Sequence, residues 1–288
     1  MEQTSDPLNI IATDGVRLAG RFWRTDRRPL GTVVVVHGFG EHSGRYIHVA
    51  GWLREAGWDV ITYDLRGHGR SEGIRGHFKT YDEMVSDLEQ VLKQVDGPRL
   101  VYAHSFGGQL LLKAGIEKEL PILGAFVSAP WIRLSFAPPA WRVMLAEAFS
   151  VLWPSFVQPT TLNLQHLSSD EGFFRSLPEP ELSHRLISAR AYSECVKAGE
   201  RVDAQAKNWK YPICLVQGDA DSVISIETNR LFFDRCGAAD KKWIVYPGCK
   251  HETHNERVRE QVRADMTAWM AHLVEPKKTA RNSSAFAG

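Results

Sequence analysis

The sequence predicts an α/β protein with a mostly parallel, doubly wound sheet, an N-terminal antiparallel hairpin and an inserted apolar segment. Short runs of β-branched and other apolar residues alternate along the chain with amphipathic stretches, a pattern typical of parallel strands connected by helices. The runs are almost continuously apolar, as expected for strands that helices cover on both faces. This alternation is the main evidence for the fold class.

The predicted strands begin with a hairpin at the edge of the sheet. Residues 8–11 and 16–23 flank the turn Asp14-Gly15, a dipeptide common in tight turns, and we expect them to pair antiparallel. The apolar runs that follow predict the strands of the parallel sheet: 32–36, 59–63, 99–103, 122–127, 213–216 and 243–246.

Helical periodicity fills the intervals between these strands. Apolar residues recur three and four positions apart, as at Val85, Leu88 and Val91, which indicates helices with one buried face. The predicted helices are 46–56, 81–95, 107–118, 227–236 and 256–273. The segment 276–288 has neither a helical nor a strand period, and we expect it to be disordered.

The alternation stops after Pro130 and resumes at Pro212. We therefore predict one core domain formed by 1–130 and 212–275, with 131–211 inserted as a cap. Few charged residues occur in the first half of this insertion, so it either packs onto the core or forms a lid that receives an acyl chain and touches a membrane at its rim. The aromatic residues expected to contact substrate there are Trp131, Phe136, Trp141, Phe149 and Trp153.

Charge, cysteine spacing and motif content argue against several classes of protein. The 35 Lys and Arg residues nearly balance the 34 Asp and Glu residues, and a net charge of +1 argues against electrostatic binding of nucleic acid. The four cysteines form no CxxC pair, which favours reduced core thiols and a cytoplasmic location. Since HExxH, P-loop and GxGxxG motifs are missing, no metal or nucleotide cofactor is expected. Neither a secretory signal nor a membrane span is predicted.

Ser105 occurs in the strand, turn and helix context typical of a catalytic nucleophile. A predicted strand ends just before it, and Gly107 and Gly108 lead into a predicted helix. Only small residues two positions before and after such a nucleophile let the strand and the helix approach each other. The preceding position holds Ala103 in place of the glycine of a GxSxG motif, so the turn has to accommodate one methyl group.

A serine hydroxyl needs a base to accept its proton and a third group to orient that base. Asp219 and Asp221 follow one predicted strand, and His251 follows the last one. Both loops leave the carboxyl ends of parallel strands, where ligand sites form in such sheets. We expect His254 to lie at the start of the closing helix, in contact with solvent or capping the helix, so His251 is the favoured base.

A glycine-rich loop at 37–40 follows the first long strand and indicates an oxyanion hole. Such a site needs backbone N–H groups aimed at the charge that develops on a carbonyl oxygen. We predict that the N–H groups of Phe39 and Phe106 supply it.

Five segments of the chain together resemble the α/β-hydrolase superfamily, and within it the branch of monoacylglycerol lipases and lysophospholipases. They are HGFGEHSGRY at 37–46, YDLRGHGRSEG at 63–73, AHSFGG at 103–108, QGDADSVI at 217–224 and GCKHETHNE at 248–256. The resemblance covers about 20–275, and the cap is similar only in its placement and apolar character. It implies the α/β-hydrolase fold and a hydrophobic cap over the nucleophile that admits one acyl chain.

The resemblance also implies roles for individual residues. The nucleophile corresponds to Ser105 and the oxyanion donors to Phe39 and Phe106. A GxxD pattern selects Asp221 over the neighbouring Asp219, and a GxxH pattern selects His251.

Together these observations predict a serine hydrolase that cleaves carboxylic esters of single-chain lipids, monoacylglycerol or lysophospholipid, through an acyl-enzyme on Ser105. The alternatives are a short-chain esterase, an aminopeptidase or a cofactor-free perhydrolase on the same scaffold, and a non-catalytic binding protein. The expected partners are a lipid ester and, at the cap, a membrane surface in transient contact. The expected location is cytoplasmic, with peripheral contact at the membrane.

Overall fold

The computed structural model describes residues 5–137, 139–160 and 164–275. The strands are β1 (Asp6–Ile11), β2 (Arg17–Trp23), β3 (Thr32–Val36), β4 (Asp59–Tyr63), β5 (Arg99–His104), β6 (Gly124–Ser128), β7 (Val157–Pro159), β8 (Leu186–Ser188), β9 (Ile213–Gly218) and β10 (Lys241–Tyr246). The helices are α1 (Ile47–Glu55), α2 (Tyr81–Leu92), α3 (Phe106–Glu117), α4 (Ala140–Leu152), α5 (Glu171–Arg175), α6 (Ala189–Ala204), α7 (Ile226–Arg235) and α8 (Arg259–Val274).

Eight of these strands form one sheet in the order β1-β2-β4-β3-β5-β6-β9-β10. The hairpin strands β1 and β2 pair antiparallel, β2 also pairs antiparallel with β4, and the remaining neighbouring pairs in the sheet are parallel. The fold class predicted from the sequence is therefore confirmed. The strands β7 and β8 pair separately as a short antiparallel ribbon.

The core lies on both faces of the sheet, as the apolar strands require. All five residues of β3 are buried, and they alternate between the two faces because strand side chains have a period of two. Val34 and Val36 contact the layer that contains α2, α3 and α6, whereas Val33 and Val35 contact the layer that contains α1 and α8. The four cysteines are buried and form no disulfide.

The strand register determines where the candidate site forms. Val36 at the end of β3 pairs with Ala103 in β5, so the loop at 37–40 and Ser105 start side by side. Gly218 at the end of β9 pairs in the same way with Tyr246 at the end of β10. The loops that carry the candidate residues therefore leave the same edge of the sheet.

The segment between β6 and β9 contains α4, α5, α6 and the ribbon β7-β8. The helix α6 packs against the core helix α3 as well as against α4. A Cβ atom at Gly199 in α6 would lie 2.2 Å from the carbonyl oxygen of Ile132, which shows how closely the chain packs there. The segment 131–211 thus supplies both a wall of the site and part of the core layer, and its division from the core stays a prediction. The predicted disordered tail, 276–288, lies outside the described residues.

Candidate active site

Ser105 occupies a strained turn between β5 and α3. Its φ of 52° and ψ of −115° fall in a region that residues other than glycine rarely adopt. Three backbone hydrogen bonds hold this conformation. The N–H of Ser105 donates to the carbonyl of Ser128 (2.9 Å), and its own carbonyl accepts from the N–H groups of Gln109 and Trp131 (3.0 Å each).

Small residues on both sides of Ser105 permit this turn. A Cβ atom at Gly107 would lie 2.5 Å from the carbonyl oxygen of Val36, so a larger residue would push α3 away from β3. Ala103 is fully buried in β5, where its methyl group lies in the apolar core. The turn accommodates the methyl group that distinguishes this chain from a GxSxG motif.

The structure brings the three predicted catalytic side chains together. The Oγ of Ser105 lies 3.0 Å from Nε2 of His251, and Nδ1 of His251 lies 2.8 Å from Oδ2 of Asp221. The N–H groups of Val223 and Ile224 donate to the other carboxylate oxygen of Asp221, at 2.8 and 3.0 Å. Exposure is below 10% for all three, so the hydrogen bonds form in a water-poor environment.

Electrostatics in this group favours a charged carboxylate beside a basic imidazole. Burial alone would raise the pKa of Asp221, but His251 and the hydrogen bonds it receives outweigh burial, and the pKa lies below its usual value. Burial would lower the pKa of His251, but Asp221 and, more weakly, Glu252 raise it above its usual value. This arrangement stabilises the protonated form of His251.

The neighbouring Asp219 has a different partner. Its Oδ1 accepts from the N–H of Gly248 at 2.6 Å, so it supports the turn that precedes the histidine loop. The structure does not bring it to His251.

The expectation for His254 was wrong. This side chain is fully buried, and its ring stacks on Tyr46 with the centroids 4.9 Å apart. The physical reason is that residues Thr253–Asn255 form a turn that folds back into the core, and α8 begins only at Arg259.

The loop at 37–40 lies directly against Ser105. A Cβ atom at Gly38 would lie 3.2 Å from Cβ of Ser105. The N–H groups of Phe39 and Phe106 donate no hydrogen bond to any residue that the structure describes, which leaves both free to bind a ligand atom. Their rings are in contact edge to face, with centroids 5.3 Å apart.

A cavity of about 1060 Å³ extends from Ser105 and His251 beneath the cap. Four of the aromatic residues predicted to contact substrate line it: Trp131, Phe136, Trp141 and Phe149. The structure does not bring Trp153 to the cavity. This residue follows the end of α4, and its ring packs on Phe156, which does line the cavity, with centroids 5.2 Å apart.

Other lining residues were not predicted from the sequence. They include Leu145 and Tyr192 of the cap and the charged residues Glu41, Arg45 and Glu252. Two of the charged residues, Glu41 and Arg45, lie in the motif HGFGEHSGRY, which the sequence analysis singled out. Charged residues are usually exposed, however, so the sequence offers no reason to place them at an internal cavity. Among the described residues, no group of three or more His, Cys, Asp and Glu side chains could hold a metal ion.

Proteins of one hydrolase family are similar to this chain over most of its length. Residues 27–258 match the family model described as serine aminopeptidase, S33. A monoacylglycerol lipase from Mycolicibacterium smegmatis is 31% identical over 280 residues, covering 95% of this chain and 100% of that protein. An uncharacterised abhydrolase domain-containing protein from Dictyostelium discoideum is 28% identical over 98% of this chain, which spans only 30% of that relative's length.

The fold is also similar to that of a solved structure. The crystal structure of a monoacylglycerol lipase from Paleococcus ferrophilus superimposes with a TM-score of 0.83 at 28% identity, covering 89% of this chain and 99% of that one. The family match, the relatives and the shared fold agree with the geometry of the site. The chain therefore belongs to the serine aminopeptidase S33 family of α/β-hydrolases, in the branch of the monoacylglycerol lipases.

Proposed function

We propose that this carboxylic ester hydrolase cleaves esters of single-chain lipids, monoacylglycerol or lysophospholipid, through an acyl-enzyme on Ser105. The observation that carries the proposal is that the catalytic residues and the apolar cavity form one continuous site. The hydroxyl of Ser105 contacts His251 and opens directly onto a large cavity walled by aromatic and aliphatic side chains. Burial of an acyl chain against such a wall is strongly favourable, at about 0.8 kcal/mol for each CH₂ group.

In the proposed reaction, Ser105 Oγ attacks the ester carbonyl carbon while His251 Nε2 accepts the hydroxyl proton. The N–H groups of Phe39 and Phe106 stabilise the oxyanion of the tetrahedral intermediate. His251 then gives its proton to the departing alkoxide, which leaves the acyl group on Ser105. Water attacks this acyl-enzyme with His251 again acting as base, and the fatty acid and free serine result. Asp221 holds the imidazole in place throughout.

The outer surface of the cap supports contact with a membrane. Apolar side chains of α4 and its end are largely exposed, with Met144 at 69%, Val151 at 73% and Leu152 at 82%. Exposed apolar surface of this kind is typical of interfacial helices. None of the helices in the described ranges has the length and apolar character needed to cross a bilayer. We therefore propose that α4 rests transiently on the lipid surface from which the substrate enters.

The family model is described as a serine aminopeptidase, so peptide substrates need a separate argument. An aminopeptidase needs a free carboxylate to bind the terminal ammonium group of its substrate. Glu41 and Glu252 do line the cavity, but both are paired with Arg45. Both carboxylates also accept hydrogen bonds from their own loops, so neither is free to bind an ammonium group, and the site favours the ester over the aminoacyl amide.

The test compares substrates and a nucleophile variant. We expect the wild-type enzyme to hydrolyse monooleoylglycerol or lysophosphatidylcholine much faster than an aminoacyl p-nitroanilide. Ser105→Ala should lose about 10⁴-fold or more in kcat, because removal of a nucleophile leaves only residual catalysis. Ser176→Ala, at an exposed serine after α5, is the matched control and should retain full activity. Undiminished activity of Ser105→Ala would overturn the site, and faster cleavage of the amide would overturn the lipid assignment.

A further inference from the structure

A buried ion-pair bridge connects the loop before α1 with the loop that carries His251. Arg45 Nε lies 3.0 Å from Oε2 of Glu41, and Arg45 Nη2 donates to Oε2 of Glu252 at 2.5 Å. None of the three residues is more than 6% exposed. We call this group the Glu41–Arg45–Glu252 bridge.

One end of the bridge holds the oxyanion loop. Oε1 of Glu41 accepts from the N–H of Gly38 at 2.5 Å and from the hydroxyl of Tyr46 at 2.7 Å. The carboxylate therefore holds the peptide between His37 and Gly38, one unit before the peptide that carries the Phe39 N–H. Two further hydrogen bonds hold this loop, from Nδ1 of His37 to the carbonyl of Gly38 and from the N–H of His184 to the carbonyl of Gly40, both at 2.7 Å. Loss of the carboxylate would therefore remove the one contact that holds an N–H group of the loop through the bridge.

The other end of the bridge holds the histidine loop. Glu252 directly follows His251, and its Oε2 also accepts from Nδ2 of Asn255 at 2.6 Å. Its backbone N–H donates to the carbonyl of Leu167 in the cap segment at 2.8 Å. The position of the imidazole is thus coupled to Arg45 through one peptide unit.

A gain in folding stability alone does not readily explain why Glu41, Arg45 and Glu252 are buried. Replacement of a buried ion pair or triad by apolar residues of similar volume is often neutral or stabilising, because desolvation cancels the attraction between the charges. Here the charges lie at the cavity, and their two ends hold the two loops that must act on one carbonyl group.

We propose that the Glu41–Arg45–Glu252 bridge is a positioning device for acyl transfer, holding the N–H of Phe39 at a fixed distance from His251. Glu41, Arg45 and Glu252 are positioning residues, since they act through the loop and the imidazole. The inference rests on the proposed function only in requiring acyl transfer to Ser105. It is independent of whether the acyl donor is a lipid.

The bridge also contributes to the charge around the base. The ionisable groups that interact with His251 are Asp221, Glu252, Glu41, His104 and His254, and Arg45 lies between the two glutamates. Glu252 and Glu41 favour the imidazolium form, so a neutral residue at 252 should lower the pKa of His251. Because the neutral imidazole is the active base, the rising limb of kcat/KM against pH should then move to lower pH.

The experiment uses p-nitrophenyl butyrate, a soluble ester that needs no lipid recognition. Glu41→Ala removes the acceptor for the Gly38 N–H and should lower kcat about 100-fold while KM changes less than about threefold, as for loss of an oxyanion donor. Glu41→Gln retains that acceptor but loses the ion pair with Arg45, so it should recover only part of the activity. Glu171→Ala is the matched control. It breaks an i,i+4 Glu–Arg pair with Arg175 that is exposed, and it should leave kcat unchanged.

A second variant keeps the inference testable if Glu41→Ala does not fold. Glu252→Gln preserves the shape of the side chain and should move the midpoint of the rising limb down by about one pH unit. Wild-type kcat in both Glu41 variants, or an unmoved midpoint in Glu252→Gln, would overturn the bridge as a positioning device. The lipid proposal fails separately, if the wild-type enzyme cleaves p-nitrophenyl butyrate but neither monoacylglycerol nor lysophospholipid.

Discussion

Asp219 and Asp221 are two residues apart after the same strand, and their different hydrogen bonds give them different chemistry. Oδ2 of Asp221 contacts His251 at 2.8 Å, whereas Oδ1 of Asp219 accepts only the N–H of Gly248 in the described structure. An orienting carboxylate stabilises both the required tautomer and the imidazolium. Substitution of each aspartate in turn therefore separates the effect of orienting His251 from the effect of supporting the nearby turn.

We expect Asp221→Asn to lower kcat for a p-nitrophenyl ester by about 10³- to 10⁴-fold, because an amide in this position favours the wrong tautomer of His251. Asp219→Asn retains an oxygen that can accept from Gly248 and should lower kcat less than about tenfold. Steady-state kinetics of the two variants side by side gives the ranking. A larger loss in Asp219→Asn would transfer the orienting role to Asp219.

At the scale of single residues, the sequence predicted site residues most accurately where the order of strands in the sheet determines their position. Ser105 and His251 could be identified because each follows a parallel strand, and parallel strands bring their carboxyl ends to one edge. Glu252 could not be identified, because an isolated glutamate is usually exposed and its buried partner is 207 residues away. Trp153 was assigned to the cavity by its aromatic character alone, and the end of α4 turns it to a different neighbour.

At the scale of elements, the helix α6 shows why the inserted segment was harder to predict than the core. Its buried positions recur at helical spacing but are mostly small residues, including Ala191, Ala198 and Gly199, so few large apolar side chains mark the helix in the sequence. Small residues nevertheless pack closely, since Gly199 abuts the backbone at Ile132. The strands β7 and β8 have three residues each, too few for an alternating pattern to register.

The helix α4 has the opposite property, a strong apolar pattern without enough neighbours to cover it. We expect the double variant Val151→Asp and Leu152→Asp to bind vesicles that contain monooleoylglycerol about tenfold or more weakly than the wild-type protein. The double variant removes exposed apolar surface and adds charge. Cosedimentation measures the binding, and kcat for p-nitrophenyl butyrate should stay unchanged because neither side chain lines the cavity.

The matched control for this variant is Leu231→Asp in α7, where a leucine is 51% exposed on the core domain. Equal vesicle binding by the α4 double variant and the wild-type protein would show that the cap does not dock on lipid. Equal losses in the α4 and α7 variants would show that any exposed apolar side chain contributes, which contradicts a specific role of the cap.

At the scale of the whole molecule, Arg66 connects the N-terminal hairpin to the core. Its guanidinium donates to both oxygens of Asp14 in the hairpin turn, at 2.6 and 3.0 Å, and to both oxygens of Asp87 in α2, at 2.8 and 2.9 Å. Planar, bidentate pairs of this kind are the strongest ion pairs that arginine forms. The hairpin lies at the sheet edge, so this contact helps to hold an element with few other neighbours.

This contact predicts how stability depends on pH. The hydrogen bond from Arg66 lowers the pKa of Asp14 from 3.8 to about 2, so its contribution to stability is complete above about pH 4 and is lost as the pH falls towards 2. Asp14→Asn should therefore reduce the free energy of unfolding at pH 6, by roughly 1 kcal/mol or less because the carboxylate is 42% exposed and screened by solvent. The difference from wild type should shrink as the pH approaches 2, since Asp14 is then protonated and Asp87 is common to both proteins.

Urea unfolding of the wild-type protein and Asp14→Asn at pH 6 and pH 3 measures this difference. Asp96→Asn, at an exposed aspartate, is the control. A difference in the free energy of unfolding that is independent of pH would contradict the role of the Asp14 carboxylate.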